Sequence, residues 1–372
     1  MGQRHQSLQA REGGAEGAGR IFQGSAIVQL QHEATMENPM MRWRKWFTAA
    51  IAGVALLGMM PGMSATPARA QPGTYPSRQI QVIVPFPAGG SADYFARSIF
   101  TRLGPVVGHP IVVEYKAGAG GIIGAKAVIN SAPDGYTLLV SAVASVLIPP
   151  NLSTPPAFDA LRDLTPVTGI GTVPAVLVVK PSLGIKTFAE LLSYAKANPG
   201  KLNLATSGAG TISHLTGELL MRETGIKIVP VHYRGAPPAV TDLLGGHADI
   251  MFSDAPFYLS HIKSGKLTPL AVGTQQRSPS LPNVPTTAEL GYPAIVASNT
   301  YSLFGPAKMP ADIVSKLNQL VLKELRSSEV QAAFATQAAT PAGDTPEAFT
   351  ALIRAEAARW LPIVKAAGVK AN

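Results

Sequence analysis

Residues 80–107 read IQVIVPFPAGGSADYFARSIFTRLGPVV. Ile80 to Phe86 is a β-branched run closed by Pro-Ala-Gly-Gly, and Ser91 to Val107 then carries Phe95, Ile99, Leu103 and Val106 at helical spacing. A strand, a Gly-rich turn and an amphipathic helix in that order make the first half of a βαβ unit, the building block of parallel sheets. The pattern continues outward. Ile111 to Tyr115 is a second run, followed by a Gly-rich loop and the helix-like Ile122 to Asn130; the turn Pro133-Asp134-Gly135 precedes a third run, Tyr136 to Val143. Further strands are predicted at Ala175 to Val179, Leu202 to Thr206, Ile228 to His232, Ile250 to Phe252, Leu267 to Gly273 and Tyr301 to Phe304. Helices are predicted at Thr187 to Ala197, Thr211 to Thr224, Ala239 to Leu244, Pro256 to Ser264, Ala311 to Leu325 and Thr345 to Ala366. The expectation is an α/β protein of two lobes, residues 71–172 plus 296–372 forming lobe 1 and residues 173–295 forming lobe 2.

Composition narrows the function classes. The chain has 372 residues, 46% of them hydrophobic and 14% charged, which excludes a disordered protein. With no Cys there is no disulfide framework, thiolate zinc site or cysteine nucleophile. The net charge of +9 invites a polyanionic partner, but residues 71–372 hold 24 Lys/Arg against 18 acids, and these are interspersed. Nucleic acid binding needs clustered bases with interleaved aromatics, so it is not expected.

The front of the chain reads as an address. In MRWRKWFTAAIAGVALLGMMPGMSATPARA (41–70), Arg42, Arg44 and Lys45 form a positive n-region, Phe47 to Met60 an apolar run, and Ala68-Arg69-Ala70 a small-x-small cleavage pattern. The run falls short of the ~20 residues of a membrane-spanning helix. A signal peptide cleaved after Ala70 is therefore expected at 41–70, with export to the periplasm. Residues 1–40 read as a misannotated or disordered leader, the true start being Met36, Met40 or Met41.

Ligands of open parallel sheets bind beyond the carboxyl ends of the strands. Three Gly- and hydroxyl-rich loops sit there: Pro85 to Asp93, Ala117 to Gly121, and Thr206 to His214. Each follows a strand and opens a helix, where free N–H groups and the helix dipole favour an anion; taken singly, the same residues also serve as ordinary turns and caps. Arg234, at the end of a second-lobe strand, can pair bidentately with a carboxylate or form a salt bridge. Asp93 either holds the first loop or meets an ammonium. His214 and Asp254 could form an acid/base pair, although a hydrogen-bonding or capping histidine is the simpler reading and no activated nucleophile accompanies them. Gly118-Ala119-Gly120-Gly121-Ile122-Ile123-Gly124 misses the dinucleotide fingerprint by one residue and lacks its acid. The scattered histidines, the missing P-loop and the missing nucleophile elbow leave no metal, no cofactor and no catalytic residues expected.

The ordered series VPFPAGGSAD (84–93), GAGGIIGA (118–125), PDGYTLL (133–139), LNLATSGAGTISHLTGE (202–218), VHYRGAPPAVTDLLGGHADIMF (231–252), SGKLTPLAV (264–272) and LPNVPTTAELG (281–291) resembles the Bug, or TctC, family. These are solute receptors of tripartite tricarboxylate transporters. The resemblance covers residues 75–369. It implies a two-lobed, type II periplasmic-binding-protein fold whose cleft closes on a small carboxylate, handing it as a monomer to the subunits of a membrane permease. It implies a ligand site made by Phe86, Ala88, Gly89, Gly90, Ser91 and Asp93, by Ser141, and by Ser207, Gly208, Thr211, His214, Tyr233 and Arg234, to which the Gly-rich loop read above adds Gly120 and Gly121. Asp254 joins them from Phe252-Ser253-Asp254, where the family often has Phe-Asp-Asn. Glu114-Tyr115-Lys116-Ala117 and Ile122 are further departures from common family residues, and they bear on ligand identity. A ligand-sensing receptor for a signalling system and an enzyme on the same fold are the alternatives.

Overall fold

A computed structural model describes residues 75–366 and Gly368. The leader, the signal peptide and its cleavage point lie outside the described residues.

Strand β1 (Ile80–Val84) pairs in parallel with β2 (Ile111–Tyr115) and β3 (Thr137–Ala142). It is buried on both faces, which is why its apolar run does not alternate. Helix α1 (Ser91–Val107) buries Phe95, Ile99, Phe100 and Leu103 and ends at Gly108 with φ 74°. Val106, expected on the buried stripe, is 53% exposed. Helix α2 (Ile122–Ile129) covers the opposite face, and a short α3 (Val143–Leu147) follows β3 where the sequence reading continued the strand to Val143.

The chain then leaves this sheet through one long strand. After a single helical turn, α4 (Ala160–Asp163), β4 spans Leu164–Val179, three times the length of the predicted Ala175 to Val179. From Leu164 to Pro174 it runs antiparallel to β9 (Ser298–Pro306), which in turn lies antiparallel to β3. From Ala175 to Val179 it pairs with β7 (Ile250–Asp254) and β8 (Thr268–Val272). The second sheet is completed by β5 (Asn203–Thr206) and β6 (Val229–His232), both parallel. The strand order is β2-β1-β3-β9-β4-β7-β5-β6, one curled sheet whose halves have separate cores.

Helices cover both faces of each half. In the second, these include α5 (Phe188–Ala197), started by a Thr187–Glu190 capping box, α6 (Ile212–Thr224), α7 (Ala236–Leu244) and the short α8 (Leu259–Lys263). In the first, α9 (Ala311–Leu325) and α10 (Ser328–Thr336) pack with α1 over one face. The terminal α11 (Pro346–Ala366) lays Phe349, Ile353 and Trp360 over Ile83, Leu139 and Phe304 on the other. Helix α10 has no counterpart in the sequence reading. Among the described residues no helix is long and apolar enough to cross a membrane.

Candidate functional site

The turns that leave β1, β5 and β6 each open a helix, and those three helices begin at one narrow cavity. Gly90, Ser91 and Ala92 reach it from the start of α1, Thr211 and Ile212 from the start of α6, and Ala236 and Pro237 from the start of α7. Neither Gly90 nor Thr211 makes a side-chain cap bond, so both helix starts present unbonded donors. Phe86 and Phe257 close the sides, Ser145 and Ser207 add hydroxyls, and Ser253, Asp254, Asn299 and Tyr301 complete the lining.

A wider recess adjoins it, sharing Phe86 and Ser207. Gly120 and Gly121 line it from one lobe, and Gly208, His232, Tyr233, Arg234 and Gly235 from the other. Arg234 is exposed there. The Tyr233 hydroxyl donates to Asp242 Oδ2 at 2.8 Å, which fixes its ring at the rim.

Of the sequence-derived site residues, the structure therefore brings Phe86, Gly90, Ser91, Ser207, Thr211 and Asp254 to the inner cavity, and Gly120, Gly121, Gly208, Tyr233 and Arg234 to the recess. The others lie elsewhere. Ala88 sits at an exposed loop tip. Gly89 and Asp93 face a different surface depression beside Arg97. Ser141 is buried inside β3, opposite Ser302; one helical turn further on, Ser145 is the serine that reaches the cavity. His214 lines neither space. Its Nδ1 accepts the Gly210 N–H at 3.1 Å, and its ring packs edge-on to His232 at 4.5 Å. His232 in turn meets Thr206 Oγ1 at 2.7 Å; burial first, then His214, keeps its pKa below the ordinary value. The two histidines lock the turn from Thr206 to Thr211 in place.

Asp93 does the same for the first turn. It accepts the Gly89 N–H at 2.8 Å, the Tyr115 hydroxyl at 2.7 Å and Arg97 Nε at 2.7 Å. Burial works against its charge, but these bonds outweigh it and hold its carboxyl below the usual range.

Asp254 has the opposite electrostatics. At the end of β7 it is 1% exposed, accepts the Tyr301 hydroxyl and lies 3.4 Å from Asn299 Nδ2. Burial pushes its pKa up to about 6 against the lowering effect of these bonds. The folded pKa exceeds the unfolded value of ~3.9, so the folded state holds the extra proton. The resulting stability is present in full below about pH 4 and is lost as pH rises through about 6. Ligand-free Asp254→Asn, which mimics the neutral acid, should accordingly be more stable than wild type at about pH 8, by ~1–3 kcal/mol, and equal to it near pH 4. Thermal melts at the two pH values check this, and an equal or lower melt at the higher pH contradicts it.

Sequence reasoning missed Ser145, Ser253, Asn299 and Tyr301. The signal for the last two was the alternation in Ser298–Pro306, which sends Asn299 and Tyr301 to the same face of β9.

Comparison with known proteins adds an independent line. The family model described as "Tripartite tricarboxylate transporter family receptor" matches residues 95–369. The Protein BugT of Bordetella pertussis is 41% identical over 319 residues, covering 85% of this chain and 98% of that protein. Among solved structures, Rpa4515 of R. palustris with adipate is 33% identical with a TM-score of 0.77, over 80% of this chain and 99% of that one. The periplasmic binding protein BugD is 32% identical with a TM-score of 0.75, over 80% and 99%. The two-lobed fold with its cleft between the lobes is common to these proteins and this chain.

Proposed function

The chain belongs to the tripartite tricarboxylate transporter receptor family, and from that premise we propose that it is a periplasmic solute receptor capturing a small carboxylate in the cavity between α1, α6 and α7. The observation that carries this reading is the convergence of those three helix starts on one cavity. The starts of α1 and α6 contribute free N–H donors, while α7, which opens Ala236-Pro237-Pro238, adds the Ala236 N–H and the positive end of its dipole; together these hold an anion without a basic side chain. Adipate in Rpa4515 is a dicarboxylate on a similar scaffold, and it supports the same ligand class here.

The lobes we assign are residues 71–172 with 296–372, and residues 173–295. The change of partners along β4 between Pro174 and Ala175 supports that division. A carboxylate bridging helix starts of both lobes stabilises the closed form. In this reading the signal peptide is cleaved after Ala70, the protein acts as a monomer, and the loaded receptor delivers its solute to the membrane subunits of a permease. It binds and releases its ligand unchanged, without enzymatic turnover. Ser207 and Phe86, common to cavity and recess, mark the entry path, with Arg234 at the rim as the first cation a carboxylate meets.

Thermal melting of the chain from Gln71 onward tests this, using mono-, di- and tricarboxylates, acidic amino acids and neutral sugars. Ligand at ~100 times its Kd adds about 2.7 kcal/mol, and at ~2–4 °C per kcal/mol the melt should rise by about 5–10 °C. A shift with a neutral sugar and none with any carboxylate would overturn the reading.

A further inference from the structure

Asp254 stands where the two lobes assigned above meet. It ends β7 beside Ala175, the first residue of β4 past the change of partners, while Asn299 and Tyr301 belong to β9 of the other lobe. The Tyr301 hydroxyl donates to Asp254 Oδ2, and Asn299 Nδ2 lies 3.4 Å from Asp254 Oδ1 and 3.1 Å from the Tyr301 hydroxyl. An ionised carboxylate offers about four acceptor sites. Asp254 is served only by that hydroxyl and by an amide at the long end of the range. Asn299 Oδ1, on a residue 5% exposed in the same corner, has no donor at all. The corner holds more acceptors than donors.

Charge sharpens the shortage. Among the described residues no Lys, Arg or His lines the inner cavity. Tyr301 faces the carboxyl from β9 and Tyr258 from the turn after β7, and burial holds both phenols well above their ordinary pKa and so neutral. Helix α1 brings Ser91, and α3, α6 and α7 bring no ionisable side chain to the lining. The adjoining recess adds Arg234 and His232, the latter held below its ordinary pKa by burial. Within the cavity, what favours an ionised Asp254 is the positive ends of α1, α6 and α7. A ligand carboxylate seated there occupies those donors, adds a like charge and excludes water. Each of these works against a second negative charge in the same space.

We propose that, within the receptor function above, Asp254 takes up a proton when the carboxylate binds, so that the cleft closes on an anion and a proton together. The proton comes from bulk solvent and returns to it when the solute leaves. While bound, it turns Asp254 into a neutral acid able to donate in a corner crowded with acceptors. A group whose pKa is higher in the complex than in the free protein makes binding tighter as pH falls. Ligand-free, the carboxyl titrates at about 6, so uptake is nearly complete above pH 7 and fades below pH 6.

The experiment is calorimetric titration of the chain from Gln71 onward with whichever of succinate, adipate, glutamate and benzoate raises its melt most, in buffers of different ionisation enthalpy. Near pH 7.5 wild type should take up close to one proton per ligand (~0.9), and Kd should rise about eightfold from about pH 6.5 to about 7.5. Asp254→Asn, a fixed mimic of the neutral acid, should take up less than ~0.2 proton, hold its Kd within about twofold over that range and bind about tenfold more tightly than wild type near pH 7.5. His232→Gln should keep the wild-type uptake. Infrared difference spectra of wild type need no substitution: with the ligand's own carboxyls labelled with carbon-13, binding should raise the C=O band of a protonated protein carboxyl. A carboxylate that binds with no proton uptake, or an uptake that survives Asp254→Asn and is lost in His232→Gln, overturns the inference and leaves the carboxylate reading standing. Failure of every carboxylate to bind overturns both.

Discussion

Phe95→Ala should lower the melting temperature by roughly 10 °C and weaken ligand binding in the protein that remains folded. The ring is fully buried in the first-lobe core, stacked on Tyr301 at 5.0 Å and edge-on to Phe334 at 5.0 Å. It lies in a groove over β4 where a Cβ added at Gly171 would come within 2.3 Å of its Cε1, so the site has no spare volume into which neighbours could collapse. Removing a buried aromatic costs about 3–5 kcal/mol. The functional consequence runs through Tyr301, whose hydroxyl bonds Asp254 at the cavity floor. With one face of its ring unsupported, Tyr301 gains rotamers that no longer hold the carboxyl. Melting and titration on the same sample separate the two effects, and an unchanged Kd in folded Phe95→Ala would disconnect the core from the site.

Gly235→Ala should weaken ligand binding about 100-fold, close to 2.7 kcal/mol. Gly235 holds φ 113°, a region that costs a residue with a side chain about 1–3 kcal/mol. It also touches the other lobe, since a Cβ there would lie 2.7 Å from Pro87 Cδ. Its N–H donates to Ser207 O at 3.1 Å, which ties the recess wall to the cavity lining. The added methyl therefore strikes the first-lobe turn as the cleft closes. Pro87→Ala removes the ring atom it meets, so the double variant should recover at least tenfold of the lost affinity. A double variant as weak as Gly235→Ala alone would assign the loss to backbone strain and not to the approach of the lobes.

What the text of the chain reveals follows from which forces are local. The turns Pro87–Gly90 and Thr206–Thr211 were legible because strand, Gly-rich turn and helix start are adjacent in sequence. Helix α1 was legible from Phe95, Ile99 and Leu103. The first eleven residues of β4 were not, since Pro166, Gly169, Gly171 and Pro174 all read against a strand. That strand forms because β9 lies along one of its sides, a partner supplied from far along the chain. Asn299 and Tyr301 were hidden for the same reason, as a strand edge acquires a cavity only when another strand stands beside it. His214 was legible as a polar residue at a helix start. Its role as acceptor for Gly210, however, is set by the fold of the turn around it.

The two halves also differ in when they can form. Residues 175 to 297 contain every strand of the second sheet, together with Ile295 and Ala297 of its core, in one unbroken stretch, so the contacts of that half are local to it. The first half has no such stretch. Its opening strand needs β9 to finish the sheet and α11 to cover Ile83 and Leu139 with Phe349 and Trp360, which lie far along the chain from it. Contacts between distant parts of a chain form late and slowly. The first half therefore stays unfinished until that distant segment arrives.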